Sequence, residues 1–431
     1  MKNISFISDK YLCTGCGACN TGCPRNAINM ADTAIGRKYA CVDTGKCIEC
    51  GLCLKVCPSY NNIAMRSRHK DPFVGEIKKT YCGHSTDNEI YRNAQSGGLC
   101  TTILKYLFTT GKIDAAVVVR MLAGAKSKGE AVIVTDPTQL YSTQKSCYTP
   151  VDILSVLKDC KDFKSIAIVG LPCHIKGSIL LSELNNKYNN ISWRIGLVCD
   201  RVLCSTITDV FQSYVSNLSK INWRHKYFIL NGLKCNYRNA PVTLETEDGK
   251  VAKVLPNSYR FALKDTFTAP HCRLCYDKIN TFADITLGDP WGMSNIDWKN
   301  GDSLVLVRTN KGVNLIKEMC DAGQLKLEER KDASEAISGQ FVDERISQTP
   351  VYADVLDKML GDDIVSNLFP TAEGQDIELV KFAENDFKDF FSLESKNKEE
   401  IIKHAKRILK RVDFRTSLLV RVYYKIKSKI K

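Results

Sequence analysis

Long hydrophobic runs are missing from this chain. Nothing in its 431 residues approaches the roughly 18 consecutive apolar side chains that would span a bilayer. The opening MKNISFISDKYLC carries no apolar stretch after its charge, so no secretory leader is expected and a cytoplasmic location follows. An even spread of positive charge is missing too. The net charge is +13, yet residues 403–431 hold eleven Lys or Arg against one Asp, leaving about +3 for the rest. A basic tail on a near-neutral body excludes a nucleic-acid-binding globule. The hydrophobic share of 44% and charged share of 25% are ordinary for a folded chain of two or three domains.

Cysteine is what the chain has in excess. Of 20, nine fall in the first 57 residues. Without a route to an oxidising compartment, such density means metal or redox chemistry rather than disulfides. Eight of the nine follow C-x2-C-x2-C-x3-C-P twice: Cys13, Cys16, Cys19, Cys23, Pro24 and Cys47, Cys50, Cys53, Cys57, Pro58. In such a run three thiolates bind one cubane and the fourth reaches the other. Cys13, Cys16, Cys19 and Cys57 are therefore assigned to one 4Fe–4S cluster, and Cys47, Cys50, Cys53 and Cys23 to a second. Structural zinc favours two CxxC pairs instead. The run resembles the bacterial two-cluster ferredoxins. Cys41 lies outside the pattern and is expected to be a buried free thiol.

After the connector SYNNIAMRSRHKDP the pattern alternates between helix and strand. GGLCTTILKYLFTTGK reads as a helix; IDAAVVV, KSIAIVG, ISWRIGLVC, ADITLGD and DSLVLVRT read as strands. The fold class expected is an α/β body with a mainly parallel sheet, preceded by a small ferredoxin-like α+β domain and followed by a basic C-terminal helix. Expected boundaries are 1–62 for the two-cluster domain, 75–330 for the body, 331–396 for a polar helical region and 397–431 for an amphipathic tail.

Two strands close on G-L-x-C, at Cys173 and Cys199. In parallel sheets chemistry gathers beyond the carboxyl ends of strands. Cys272 and Cys275 form a CxxC before ADITLGDPWG. Four thiolates from three segments would complete a third cluster. A lone strand-end Cys is otherwise a small buried hydrophobe, and a lone CxxC also fits zinc or a dithiol.

From about residue 78 to 326 the chain resembles the beta-subunit family of coenzyme F-420 hydrogenases and dehydrogenases. The carrying segments are YCGHSTDNEIYRNAQSGGLCTTILKYLFTTGKID, IVGLPCHIKG, IGLVCD and CRLCYDKINTFADITLGDPWG. The resemblance implies FAD and at least one cubane in the body, with Cys173, Cys199, Cys272 and Cys275 as ligands. It also implies a setting in surface-polysaccharide synthesis. Cys147 stands where a basic residue is expected in relatives that bind the deazaflavin, which leaves the use of F-420 open.

The same resemblance points to a flavin site. Ser96, Gly97 and Gly98 precede a helix, whose first N–H groups suit phosphate. Taken alone the turn reads as a helix start with Ser96 as N-cap. Arg92 would stabilise flavin or diphosphate charge, with Thr101 and Thr102 nearby. Asp289 ends a strand beside Trp291, which could stack on a planar ring, although Asp289 also fits a turn cap. His174 would bond a cluster sulfur or hand a proton to substrate, or be a satisfied loop residue.

In the tail, Phe414, Leu418, Val422, Ile426 and Ile430 make one apolar stripe on a cationic helix. It fits peripheral contact with anionic lipid at the inner membrane face, an acidic protein partner, or a solvated extension. The function expected is an FAD-dependent iron–sulfur oxidoreductase. It takes electrons from a ferredoxin or other redox protein and delivers them to an organic substrate. The alternatives are a non-catalytic electron-relay subunit of a larger complex and a scaffold with structural clusters.

Overall fold

The structure is a computed structural model describing residues 3–122, 128–226, 229–230, 233–234, 240–372 and 376–416. The sequence repeat is also a backbone repeat. Gly15 and Gly17 have φ of +71° and +87°; in the second half Glu49 and Gly51 have +54° and +72°. Each pair turns the chain through the left-handed region on either side of a cysteine and opens a short helix, Ala18–Gly22 or Leu52–Lys55. Between the halves, strands Ile28–Asp32 and Lys38–Val42 pair antiparallel, with Met30 opposite Ala40. Side chains alternate along a strand, so buried Ala40 sends Cys41 outward. Cys41 is exposed, against the expectation of a buried thiol.

The body holds an eight-stranded sheet in the order Leu325–Glu329, Lys79–Ser85, Ser303–Val307, Ile285–Gly288, Ile191–Leu197, Ile166–Gly170, Ala115–Met121 and Gly129–Val134. Its centre is parallel: Ile285–Gly288 on Ile191–Leu197, Ile191–Leu197 on Ile166–Gly170, and Ile166–Gly170 on Ala115–Met121. The four remaining pairings are antiparallel, so the sheet is mixed, not mainly parallel. Parallel neighbours need a crossover. The helix Pro172–Leu184 supplies one between Ile166–Gly170 and Ile191–Leu197. No named helix lies between Ile285–Gly288 and Ser303–Val307, so that chain folds straight back antiparallel. A separate three-stranded antiparallel sheet has Val242–Thr246 between Leu218–Asn222 and Val251–Leu255.

One core joins the N-terminal halves to the body. Ile7, Leu12 and Val56 share it with Leu154, Ile168, Leu181, Leu356 and Phe387. The polar-looking region after residue 330 supplies part of this seal. Helices Val342–Leu360 and Ile377–Glu394 bury Tyr352, Leu356, Phe387 and Phe390, and Phe391 packs 4.7 Å from the Tyr11 ring.

The helix Lys398–Thr416 is part of the folded unit. Ile401, Ala405 and Leu409, four apart, are fully buried in the core with Phe211, Tyr259 and Leu263. The first half of the expected tail is thus docked. The side chain of Phe414, and Leu418, Val422, Ile426 and Ile430, lie outside the described residues. Among the described residues no helix is long and apolar enough to cross a membrane.

Candidate electron-transfer centre

The first assigned ligand set comes together. Burial pushes the Cys19 thiol well up, and Cys13, Cys16, Cys57 and Cys53 add to the rise as neighbours. Burial likewise raises Cys57, beside Cys16 and Cys13, and lifts Cys16 to about 11. Thiols held this way keep their protons, and a metal bound by them would have to displace those protons. The second set, Cys23, Cys47, Cys50 and Cys53, lines one cleft with Arg25, Ile48 and Gly51. The Ala27 N–H already donates to Cys23 Sγ at 3.3 Å, the kind of bond that tunes a cluster sulfur. Cys50 is exposed and Cys53 buried beside Cys19, so this set faces outward and the first faces inward.

The body cysteines converge because of strand register. Gly170 stands opposite Gly196 in the parallel pair, and Cys173 and Cys199 each follow their glycine by three residues. Burial raises Cys199, with Cys272, Cys173 and Cys275 contributing; burial raises Cys173, with Cys16, Cys275 and Cys272. Asn280 was missed by sequence reasoning. Its side chain is fully buried and donates to Gly170 O at 2.9 Å and Leu197 O at 3.2 Å, tying the two strand ends together. A Cβ on Gly196 would lie 2.5 Å from Asn280 Cγ, so glycine is needed there.

The N-terminal and body sets also lie near each other. Cys16 is close enough to help raise the Cys173 thiol. A Cβ on Gly177, one helical turn after Cys173, would lie 3.2 Å from Ala18 Cβ and 3.7 Å from Cys16 Sγ. The absent side chain lets the helix Pro172–Leu184 seat directly on the N-terminal cage.

Each of the three groups offers four thiolates, a donor set that fits a cubane. Among the described residues no three His, Cys, Asp or Glu side chains crowd one point tightly enough for a single ion. A cubane does not require that, because each thiolate binds a different iron.

The flavin candidates behave differently. Ser96 Oγ lies 3.0 Å from Ser303 Oγ, the Gly97 N–H donates to Ser303 Oγ at 2.9 Å, and Gly97 O accepts from the Ser85 N–H. A Cβ on Gly97 would lie 2.4 Å from Gly83 O. The close approach that glycine allows here is to the protein's own strands. Gly98, at φ +79°, caps the helix Leu99–Thr109, and Thr101 and Thr102 are buried in its first turn. Thr102 Oγ1 donates to Ser85 Oγ at 2.6 Å. Arg92 is exposed on the short helix Asn88–Asn93.

Asp289 is held by Arg224 through both guanidinium ends, and Trp291 stacks on Trp298 at 5.7 Å. Two residues after Arg224, Lys226 Nζ donates to Tyr91 O at 2.8 Å and Ser96 O at 2.9 Å. The segment Arg224–Lys226 therefore bridges Asp289 to the Ser96 turn, a link invisible in the sequence. Burial pulls Lys226 down to about 7. His174 is buried at the start of the helix Pro172–Leu184. Its Nδ1 accepts from the Leu171 N–H at 3.1 Å, and burial lowers it to about 4. Cys147 Sγ sits 3.2 Å from Thr149 Oγ1.

Comparison with known proteins adds the family context. The family described as coenzyme F420 hydrogenase/dehydrogenase, beta subunit, matches with its N-terminal part over residues 80–158 and its C-terminal part over 163–333. A 4Fe–4S dicluster domain matches 12–63. One component of the F(420)H(2) dehydrogenase of Methanosarcina mazei is 25% identical over 321 residues, 72% of this chain and 82% of that one. The coenzyme F420-dependent sulfite reductase of Methanocaldococcus jannaschii is 27% identical over 341 residues, 75% of this chain but 48% of that protein. A chain of the F420-reducing NiFe hydrogenase complex from Methanosarcina barkeri shares the fold, at TM-score 0.51 and 18% identity, over 66% of this chain and 94% of its own.

Proposed function

The chain belongs to the coenzyme F420 hydrogenase/dehydrogenase beta-subunit family and carries a 4Fe–4S dicluster domain. From that premise we propose that it is an iron–sulfur oxidoreductase subunit linking a low-potential redox protein to an organic substrate. When bound, the clusters supply one-electron relay, and a flavin would turn single electrons into a pair. Cys23, Cys47, Cys50 and Cys53 would hold the outer cluster, within reach of a partner protein. Cys13, Cys16, Cys19 and Cys57 would hold the inner one. Cys173, Cys199, Cys272 and Cys275 would hold the third.

The observation carrying this reading is the adjacency of Cys16 to Cys173 across Gly177. It gives the ferredoxin-like half a partner inside the body, where a free-standing ferredoxin would have none. The apolar packing of Ile7, Leu12, Val56 and Leu154 around the inner cage keeps water from the route.

FAD remains part of the proposal on family resemblance. The Gly97 N–H is engaged by Ser303 and the Ser96 hydroxyl lies beside it, so a flavin held at this turn would have to compete with Ser303. That same observation favours a second reading, an electron-relay subunit that passes electrons to a larger complex. The names of the relatives make F420 the first organic partner to test. Service in surface-polysaccharide synthesis beside the inner membrane would fall to residues 417–431 for its anchoring.

Anaerobic purification with iron and flavin analysis separates these readings. The enzyme reading expects about twelve irons and one flavin per chain; twelve irons without flavin favours the relay subunit. About eight irons without flavin would remove both the third cluster and the catalytic reading.

A further inference from the structure

The four body cysteines are surrounded by buried positive charge. Lys176 follows Cys173 by one turn, with its side chain 7% exposed and its Nζ 3.7 Å from Asp277 Oδ2 and 4.2 Å from the Tyr276 ring centre. Arg66 covers the same ring at 4.7 Å. Near Cys199 and Cys272, Asp200 gathers four cations: Arg201 at 3.1 Å, Lys278 at 3.3 Å, Arg345 at 3.1 Å, and Lys264. Arg345, 6% exposed, also donates to Cys272 O at 3.2 Å. Asp265 and Asp386 are engaged by Arg273, with Asp265 also reaching Arg201. Three carboxylates, Asp200, Asp265 and Asp386, face five cations, Arg201, Lys264, Lys278, Arg345 and Arg273, and among the ion pairs of the described residues Asp277 faces Lys176 alone. The shell is therefore net positive. The inner N-terminal cage, by contrast, is walled by Ile7, Leu12, Val56 and Leu154.

We infer that this shell makes the body cysteines the electron sink of the chain, giving a cluster held there a more positive reduction potential than the N-terminal pair. The inference rests on the third-cluster reading above. An electron passed from a reduced N-terminal cluster, oxidised by one in giving it up, to a cluster on the body cysteines would add one unit of negative charge inside the protein. That charge is stabilised by cations that water screens poorly. Potential follows net charge, hydrogen bonding and exposure around a cubane. Lys176, Arg201 and Arg345 thus act as positioning charges that set the direction of flow inward, from the exposed Cys50 side to the body.

The test is a potentiometric titration of the anaerobic full-length holoprotein followed by electron paramagnetic resonance. A Cys173→Ser sample identifies the body signal by its loss. In the native protein the body signal should appear at higher potential than the N-terminal signals. Lys176→Met and Arg345→Met should each shift it to lower potential and leave the N-terminal signals in place, whereas Lys176→Arg should keep the native value. A body signal titrating below the N-terminal pair overturns the inference. So does an unchanged midpoint in both Met variants at full iron content, or a shift in Lys176→Arg equal to that in Lys176→Met. A native iron count of about eight overturns the third cluster itself, which the titration then reports separately as a missing signal.

Discussion

Gly170 pairs with Gly196 across the parallel centre of the sheet, and Asn280 Nδ2 bonds the backbone beside both. Cys173 and Cys199 leave this paired end at the same height, which is how two distant stretches of sequence deliver thiolates to one place.

Gly196→Ala tests that arrangement. The new Cβ would press on Asn280 Cγ from 2.5 Å and on Ala283 Cβ from 2.7 Å. Overpacking of this kind costs about 1–3 kcal/mol. The expected result is loss of about four irons with the N-terminal clusters retained, read by iron analysis and spectroscopy.

Gly177→Val probes the seam between the two halves. Its side chain would meet Leu154 Cδ1 at 2.7 Å and Ala18 Cβ at 3.2 Å, wedging the helix away from Cys16. Full iron content with slowed reduction of the body cluster by a low-potential carrier is expected in stopped-flow measurements. An unchanged rate would argue that this contact is not the route.

Lys226 predicts a pH dependence of stability. Burial lowers its folded pKa to about 7 from 10.5, so between these values the unfolded chain holds a proton that the native chain lacks. Stability from this group therefore rises with pH over that window and is lowest below about 7, where the buried amine must charge. Chemical denaturation from pH 6 to 10 should show the rise in the native protein, and Lys226→Met should flatten it.

Truncation divides the tail. Removing residues 397–431 deletes the buried Ile401 and Leu409, worth about 1.5–3 kcal/mol each, and should lower the melting temperature. Stopping after Thr416 keeps Ile401, Ala405 and Leu409 and removes residues 417–431 alone. If those residues carry the membrane contact, the full chain should sediment with anionic vesicles and the shorter protein should not.

The eight N-terminal cysteines were legible in the sequence because their ligand geometry is local: a fixed spacing, glycines at left-handed turns, and a proline stop. Glu49 could not be read as a left-handed residue, yet it sits where Gly15 does in the other half. The strands closing on Cys173 and Cys199 were also readable from apolar runs. Cys41 was misleading, because the pairing and alternation of its strand turn it outward. The contact of the Ser96–Gly98 turn with Gly83 and Ser303, remote in sequence, could not be read from the motif.

The sequence by itself determined the thiolates, their grouping within each N-terminal run, and the alternation that builds a body sheet, since these depend on spacings of a few residues. Only the tertiary structure decided the rest. It made the sheet mixed, because antiparallel strands flank the parallel centre on both sides, Ser303–Val307 against Ile285–Gly288 on one and Gly129–Val134 against Ala115–Met121 on the other. It docked the start of the tail by burying Ile401, Ala405 and Leu409. It set Cys16 against Cys173 and gathered Lys176, Arg201 and Arg345 around the body cysteines. Packing and charge act through space, so residues far apart in the chain become neighbours only once the core has closed around them.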